Sequence, residues 1–354
     1  MIDFSVQKYA LFALLAAALF GASTPLAKLL LDGISPVTLA GLLYLGSGIG
    51  LLAIRVGKVL VSPDKPSSEA SLVPSDYPWL AGAVLAGGVI APVLLMWGLG
   101  GTGASAASLL LNFESILTTL VAAAAFREAI SGRIWTASIV MLGGGLLLSY
   151  DPDAQFYLSL NSIAVIGACL MWAIDNNLTR RISAADPLTI AMIKGLAAGV
   201  INLSLGQLAG DAIPKASSIA GAMALGLFAY GISLVLFIYA LRHLGSARTG
   251  AHFSTAPFIG ASVAILVLAE SMTVTFGVAL LLMAVATWLI LTEQHEHEHT
   301  HEYMTHSHRH YHDEHHSHEH DGSEGAEPHA HAHVHLPITH KHPHLPDIHH
   351  RHEH

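Results

Sequence analysis

Four ionisable side chains stand inside long apolar stretches of this 354-residue chain, where a buried charge is costly. A carboxylate in such a place can exchange a proton or face a bound molecule, and a nearby lysine or histidine can neutralise it. Asparagines lie close to two of these ionisable residues. The candidates for a buried polar site are therefore these four residues and two of the asparagines: Asn112, Glu114, Asp175, Asn176, Lys194 and His252.

Glu114 occupies a central position in its apolar stretch. It lies 13 residues after Gly101 and 13 before Arg127, so a helix would place it about 20 Å from either end, near the middle of a bilayer. One interpretation is a protonatable carboxylate that faces a solute. The other is a structural carboxyl, protonated and hydrogen-bonded to a neighbouring helix.

The other three ionisable residues share a shallower depth. Asp175, Lys194 and His252 each lie five to seven residues from the predicted cytoplasmic end of a helix, so they are able to neutralise one another. Lys194 has an alternative, because its stem can extend to the interface. His252 has one too, since a lone histidine on an apolar helix is commonly a hydrogen-bonded interior donor.

These side chains need helices that cross a membrane. A helix of about 20 apolar residues spans the hydrocarbon core. Ten such stretches occur, with short polar breaks: 9–31, 35–55, 78–98, 102–126, 133–150, 157–178, 187–209, 217–241, 246–268 and 273–292. Pro25, Pro92 and Pro257 fall inside the first, third and ninth, where each removes a backbone hydrogen bond and predicts a hinge.

The composition changes abruptly near Glu293. Residues 1–292 hold 13 Lys and Arg against 13 Asp and Glu, whereas the last 62 residues hold 3 against 12 and contain 23 of the 25 histidines. The net charge of −9 therefore belongs to the tail. So few charges before Glu293 exclude a soluble enzyme or a nucleic-acid-binding protein, and one cysteine, Cys169, excludes a disulfide framework.

The basic residues predict the orientation of the spans. If the N-terminus is cytoplasmic, ten Lys and Arg fall in the cytoplasmic breaks and only Lys28 and Lys215 on the opposite side. Ten spans then return the histidine-rich tail to the cytoplasm. We expect a multi-pass protein of the inner (plasma) membrane that has the lipid bilayer as its surroundings.

The chain also repeats itself. Residues 97–128 align without a gap on 239–270 at an offset of 142, which places Glu128 on Glu270, and 20–28 align on 172–180 at an offset of 152. Each half has five spans, an odd number, so the second half must be inserted upside down relative to the first. The predicted units are 1–150 and 151–292, followed by a tail at 293–354.

Several motifs resemble the drug/metabolite transporter superfamily, in particular its ten-helix members with two EamA-type repeats. They are FGASTPLAK in the first span, SPVT and DPLT at the starts of spans two and seven, and the small-residue helices that end in Glu128 and Glu270. The resemblance implies an all-α integral membrane protein of ten transmembrane helices in two inverted repeats. The sequence departs from the family pattern at Ser115, commonly proline, and at Leu43, often basic, whose counterpart here is Lys194.

The tail alternates histidine with other residues and holds several prolines, so it cannot bury a core and we expect it to be disordered. Imidazoles bind zinc, nickel and cobalt. The predicted metal-binding residues are His295, His297, His299, His301, His306, His308, His310, His312, His329, His331, His333 and His335. No cofactor is required.

Two functions fit this sequence. The first is a secondary transporter that exports a small organic metabolite by alternating access, through a pathway lined by Asn112, Glu114, Asp175, Asn176, Lys194 and His252. The second is efflux of nickel, cobalt or zinc that the tail collects, although the membrane part offers few ligands. A membrane-anchored metal sensor is a third hypothesis. No nucleophile–base pair or phosphate loop indicates an enzyme.

Overall fold

The computed structural model describes residues 4–61, 71–126, 132–149, 159–182, 185–292, 295–300, 304–310, 329–335 and 339–344. The helices of the first half are α1 (Phe4–Leu31), α2 (Pro36–Val61), α3 (Tyr77–Ala83), α4 (Ala91–Gly101), α5 (Ala104–Leu110), α6 (Phe113–Phe126) and α7 (Gly132–Ser149). Those of the second half are α8 (Leu160–Ile182), α9 (Pro187–Leu208), α10 (Ala216–Gly226), α11 (Ser233–Phe253), α12 (Ala256–Leu268) and α13 (Val274–Leu291).

Within the described residues, nine helical runs are long and apolar enough to cross a membrane. They correspond to nine of the ten predicted spans, which confirms an integral membrane protein whose membrane part is all-α. The tenth prediction, 246–268, differs in one respect. It is divided between the end of α11 and the 13-residue α12, because the helix breaks at residues 254–255, just before Pro257.

Spans eight and nine are joined by a tight reversal. The ring centroids of Phe237 and Phe253 lie 4.8 Å apart, although both belong to α11. Sixteen residues of straight helix would separate them by about 24 Å, so the chain must fold back between them. Spans three and four are instead separated at residues 102–103, where the glycines of the sequence GGTG interrupt the helix.

The two halves interlock, and their packing follows the repeat. Helix α2 packs along α9 and α7 packs on α13, each pair being equivalent in the two halves. Helix α1 packs on α11 and α12, as its counterpart α8 packs on α4 and α6. Equivalent helices in contact must surround the pseudo-two-fold axis, so the centre of the bundle is shared by both halves.

Glycines allow α2 and α9 to approach backbone to backbone. A Cβ added to Gly195 would lie 2.6 Å from the amide nitrogen of Gly48, and one added to Gly48 would lie 2.5 Å from that of Leu196. No side chain fits at either position without separating the helices. Small residues serve this purpose generally in membrane proteins.

The irregular segments of the two halves also correspond. A π-helical segment, Val84–Ile90, joins α3 to α4, and another, Leu227–Ile232, joins α10 to α11. When the first segment is shifted by 142 residues, it coincides with the second to within one residue. The same shift brings the break at 111–112 to within one residue of the break at 254–255. The inverted repeat therefore extends to the places where the helices are interrupted.

Two charged side chains secure the junction between α4 and α5. The Lys28 ammonium donates to the carbonyl oxygens of Leu99, Gly100 and Thr102 at 2.5, 3.2 and 3.1 Å, at the end of α4. Lys28 therefore places a positive charge at the negative end of the α4 dipole. This junction lies on the side of the bundle that the sequence predicts to be outside.

At the start of α5, Glu270 supplies the opposite charge. Its carboxylate accepts from the Ala104 amide at 2.6 Å and from the Ser105 amide and hydroxyl at 2.9 and 2.5 Å. Ala269, with a left-handed φ of 52°, turns the chain towards α5 just before it. Partial burial raises the pKa of Glu270, but these hydrogen bonds and the charge of Lys28 outweigh it and hold the pKa below its usual 4.5.

The described part of the tail differs from the expected disorder. It forms strands β1 (His295–Thr300), β2 (Met304–His310), β3 (His329–His335) and β4 (Thr339–His344), with β1 antiparallel to β4 and β2 antiparallel to β3. The reason is the period of the sequence, because histidine at every second position matches the two-residue period of a strand. The registers place His308 opposite His331 and His297 opposite His342.

The bonds of Glu270 predict an acid-sensitive contribution to stability. Because its pKa is lowered on folding, the carboxylate stabilises the protein above its unfolded pKa, and this stabilisation is lost as the pH falls through the folded value. We expect Glu270→Gln to lower the thermal unfolding midpoint in detergent by a few degrees at pH 7. The difference from the wild type should shrink below pH 4.5. An equal difference at both pH values would contradict the assignment.

Candidate functional site

Helix α8 carries most of the polar residues at the centre of the bundle. Trp172, Asp175, Asn176 and Asn177 lie within one and a half turns, so their side chains emerge on adjoining faces. Asp175 is 4% exposed, whereas Asn176 is exposed. The helix therefore presents one buried charge and one accessible amide at nearly the same depth.

The buried charge is paired. Lys194, on the first turns of α9, donates to Oδ2 of Asp175, and the Thr179 hydroxyl donates to Oδ1 at 3.0 Å. The structure thus brings together two of the three residues that the sequence places at one depth. Among the described contacts, none joins His252 to either of them, although its backbone carbonyl accepts from the Thr255 hydroxyl at 2.6 Å.

A break in the hydrogen bonding of span three lies beside this pair. At the end of the π-helical segment the Ala91 amide donates to the Ala86 carbonyl, five residues back rather than four. With the same five-residue spacing, the Gly87 carbonyl would accept from the amide of residue 92. This residue is Pro92, which has no N–H. The Gly87 carbonyl is therefore left without a partner in its own helix.

Three other helices satisfy the carbonyls that are released. The Gly87 oxygen accepts from the Tyr44 hydroxyl at 2.6 Å and from Nε1 of Trp172 at 3.1 Å, and the Gly88 oxygen accepts from Nδ2 of Asn202 at 3.2 Å. All three donor residues are buried. Span three is thereby tied to α2, α8 and α9 at the point where it is irregular.

Gly87 also makes room for the ion pair. A Cβ at this position would lie 2.0 Å from Oδ2 of Asp175, the oxygen that Lys194 binds. Any side chain here would displace the carboxylate.

Glu114 lies just after the interruption of span four, in the first turn of α6. Its Oε1 accepts from Nδ2 of Asn176 at 2.9 Å, and the same amide lies 3.4 Å from the Thr118 hydroxyl. Asn176 is exposed and Glu114 is half-buried. These two residues, with Thr118, form an accessible polar group that joins the two halves.

Asn112 occupies the interruption itself. Its Nδ2 donates to the Leu109 carbonyl at 2.8 Å, and its Oδ1 accepts from the Thr287 hydroxyl at 3.2 Å. Asn112 is 4% exposed. One end of its amide therefore bonds to the end of α5, and the other holds the break against α13.

A group of aromatic rings, which we call the aromatic cluster, borders the polar residues. Phe20 and Trp172, which are equivalent in the repeat, have ring centroids 6.1 Å apart across the two halves. Ring contacts of 4.8 to 6.1 Å connect the cluster, which consists of Phe20, Tyr44, Trp172, Tyr230, Phe237 and Phe253. The signal for these rings in the sequence is that Phe20 and Trp172 align in the repeat and each precede polar residues by one helical turn; nothing in the sequence indicates the other four.

The three predicted hinge prolines have different surroundings. Pro92 follows the π-helical segment and Pro257 lies in the first turn of α12, directly after the break at 254–255. Pro25 lies inside α1, which continues unbroken. Two of the three therefore coincide with an interruption of a helix.

The predicted metal-binding histidines lie in the tail, and two of them, His301 and His312, are outside the described residues. The other ten occupy strands β1, β2 and β3. Among the residues whose side chains the structure describes, no group of three His, Cys, Asp or Glu is positioned to hold a metal ion.

The ion pair between Asp175 and Lys194 predicts strong coupling. Removal of one partner leaves the other charge buried without compensation, at a cost of about 3–5 kcal/mol. We expect Asp175→Asn and Lys194→Met each to lower the thermal unfolding midpoint strongly, and the double variant to be more stable than either. Thermal unfolding in detergent measures this. Additive losses in the double variant would show that the two charges are not coupled.

Comparisons with known proteins agree with this architecture. A crystal structure of another protein has the same fold, with a TM-score of 0.59 and 15% identity over 80% of this chain and 95% of that one. An uncharacterized transporter from Methanothermobacter thermautotrophicus is 30% identical over 283 residues, in a match that covers 75% of this chain and 80% of the relative. The model of the EamA-like transporter family matches residues 7–150 and again 160–292. The chain therefore belongs to the EamA-like transporter family.

Proposed function

We propose that this protein is a secondary transporter that exports a small organic solute by alternating access. The single observation that supports this most is the polar group of Glu114, Asn176 and Thr118. It is accessible, it lies where the two inverted halves meet, and it is built beside an interrupted helix. Carriers with inverted repeats place their binding sites at such a depth and next to such helices.

The paired irregularities support the alternating mechanism. Each half has a π-helical segment and a break at equivalent positions, so each half can bend at the same places. In an inverted repeat, a change of shape in one half that closes one side has a counterpart that closes the other. Pro92 and Pro257 follow two of these irregular segments, and they are the proposed hinges of the transporter.

Within the proposed site the residues have different roles. Glu114 and Asn176 bind the solute, since they offer accessible polar atoms. The pair of Asp175 and Lys194 is buried and neutralised, so it positions α8 and α9. Asn112 supports the broken helix.

Transition-metal efflux is the second candidate. The observation that favours it is the tail, in which 23 of 62 residues are histidine. Glu114 alone would be a poor ligand set for an ion that must lose its water. We therefore propose that zinc, nickel or cobalt binds the tail, separately from the solute, on the cytoplasmic side of the inner membrane.

Export of an organic solute is testable without knowing the solute. Metabolite profiling of the medium should show at least one compound enriched by the wild type and reduced to the background level by Glu114→Gln. Ser115→Ala, which removes an exposed hydroxyl one residue away, should retain the export. If Glu114→Gln exports the same compounds at the wild-type rate, Glu114 is not part of the site.

The role of the tail is tested by truncation after Thr292. We expect the full-length protein to bind several Ni²⁺ or Zn²⁺ ions in equilibrium dialysis and the truncated protein to lose at least nine-tenths of this capacity. Export of the organic solute should persist after truncation. If instead cells expressing the full-length protein hold less nickel, cobalt or zinc, and Glu114→Gln abolishes the difference, metal is the transported species.

A further inference from the structure

We propose that the central site selects solutes that carry a positive charge, namely an amine or quaternary ammonium attached to an apolar or aromatic group. This inference rests on the proposed function and names the substrate class of the same site. It depends on how the charges in the middle of the bundle are distributed.

The charges at this depth do not balance. Asp175 and Lys194 neutralise each other and are both nearly buried. In the described structure, Glu114 receives a single hydrogen bond, from the neutral amide of Asn176. An ionised Glu114 would therefore leave one negative charge uncompensated, at a place that is accessible.

A cation bound beside Glu114 would hold its carboxylate in the ionised form. Glu114 occupies the first turn of the 14-residue α6, where the helix dipole stabilises a carboxylate. Acceptors for an ammonium group lie close together here, because the Glu114 carboxylate and the Thr118 hydroxyl oxygen are both within 3.4 Å of Nδ2 of Asn176.

The aromatic cluster adds a surface that suits cations. Trp172 lies one turn before Asn176 on α8, and the Phe20 ring packs against it at 6.1 Å. The faces of such rings carry negative potential and attract ammonium groups, while their area accepts the apolar part of a solute. The second half contributes Tyr230, 5.9 Å from Phe20.

The same residues disfavour other classes of solute. An anion would meet the carboxylate of Glu114, while the one lysine at this depth is already held by Asp175. An uncharged solute would gain no ion pair with Glu114 and would forgo the attraction of the aromatic rings for a cation. A bare divalent metal ion would find one carboxylate and no second charged ligand within the described part of the site.

The test uses three probes of similar size and different charge. Isothermal titration calorimetry on the full-length protein in lipid nanodiscs compares benzyltrimethylammonium, benzyl alcohol and phenylacetate. The variants are Glu114→Gln, the charge-retaining Glu114→Asp, Phe20→Leu, and Asp32→Asn as a matched removal of an exposed carboxylate elsewhere. Gln can still accept the hydrogen bond from Asn176, so the fold is expected to persist, and the thermal unfolding midpoint checks it.

We expect benzyltrimethylammonium to bind at least tenfold more tightly than phenylacetate. Glu114→Gln should weaken its binding at least tenfold, Phe20→Leu about threefold, and Asp32→Asn not at all.

Equal binding of the cation by the wild type and Glu114→Gln, or tighter binding of phenylacetate, overturns the inference. If solute export depends on Glu114 while the cation does not bind, the inference fails and the proposed transport stands. If export is independent of Glu114, the proposed site itself fails.

Discussion

Inside a bilayer a carbonyl oxygen that leaves its own helix needs a donor from another helix, because no water is present to replace it. The junction of the π-helical segment Val84–Ile90 with Pro92 creates this need at Gly87 and Gly88. The donors are the side chains of Tyr44, Trp172 and Asn202, which come from three different helices. The position of α8, and with it that of Asp175 and Asn176, follows from these bonds.

The two polar groups on α8 and its neighbours therefore connect different parts of the bundle. The pair of Asp175 and Lys194 joins adjacent helices of the second half and leaves no free charge. Glu114 belongs to the first half and reaches across to Asn176 in the second. In the proposed transport cycle, a movement of the halves against each other would leave the first interaction intact and alter the second.

The apolar stretches and the inverted repeat could be predicted from the sequence, and so could a shared depth for Asp175, Lys194 and His252, but not which two of these three would pair. The depth of a residue along a helix follows from the residue count, and the repeat follows from the alignment of two segments at a constant offset. The π-helical segments could not be predicted, because Val84–Ile90 has no residue that forbids an ordinary helix before Pro92. Neither could the bonds of Lys28 and Glu270 at the two sides of the α4–α5 junction, since residues 28, 104 and 270 meet only through the packing of three helices.

The unequal charges of the two halves bear on how such a protein can evolve. The counterparts of Asp175 and Lys194 in the first half are Ser23 and Leu43, and the counterpart of Glu114 in the second is Ala256. In a dimer of identical half-length subunits, every charge would occur twice. Such a dimer would have either two ion pairs and two glutamates around one axis, or no ion pair and no glutamate there. A single chain that carries both halves is free of that restriction, because each position around the axis can hold a different residue.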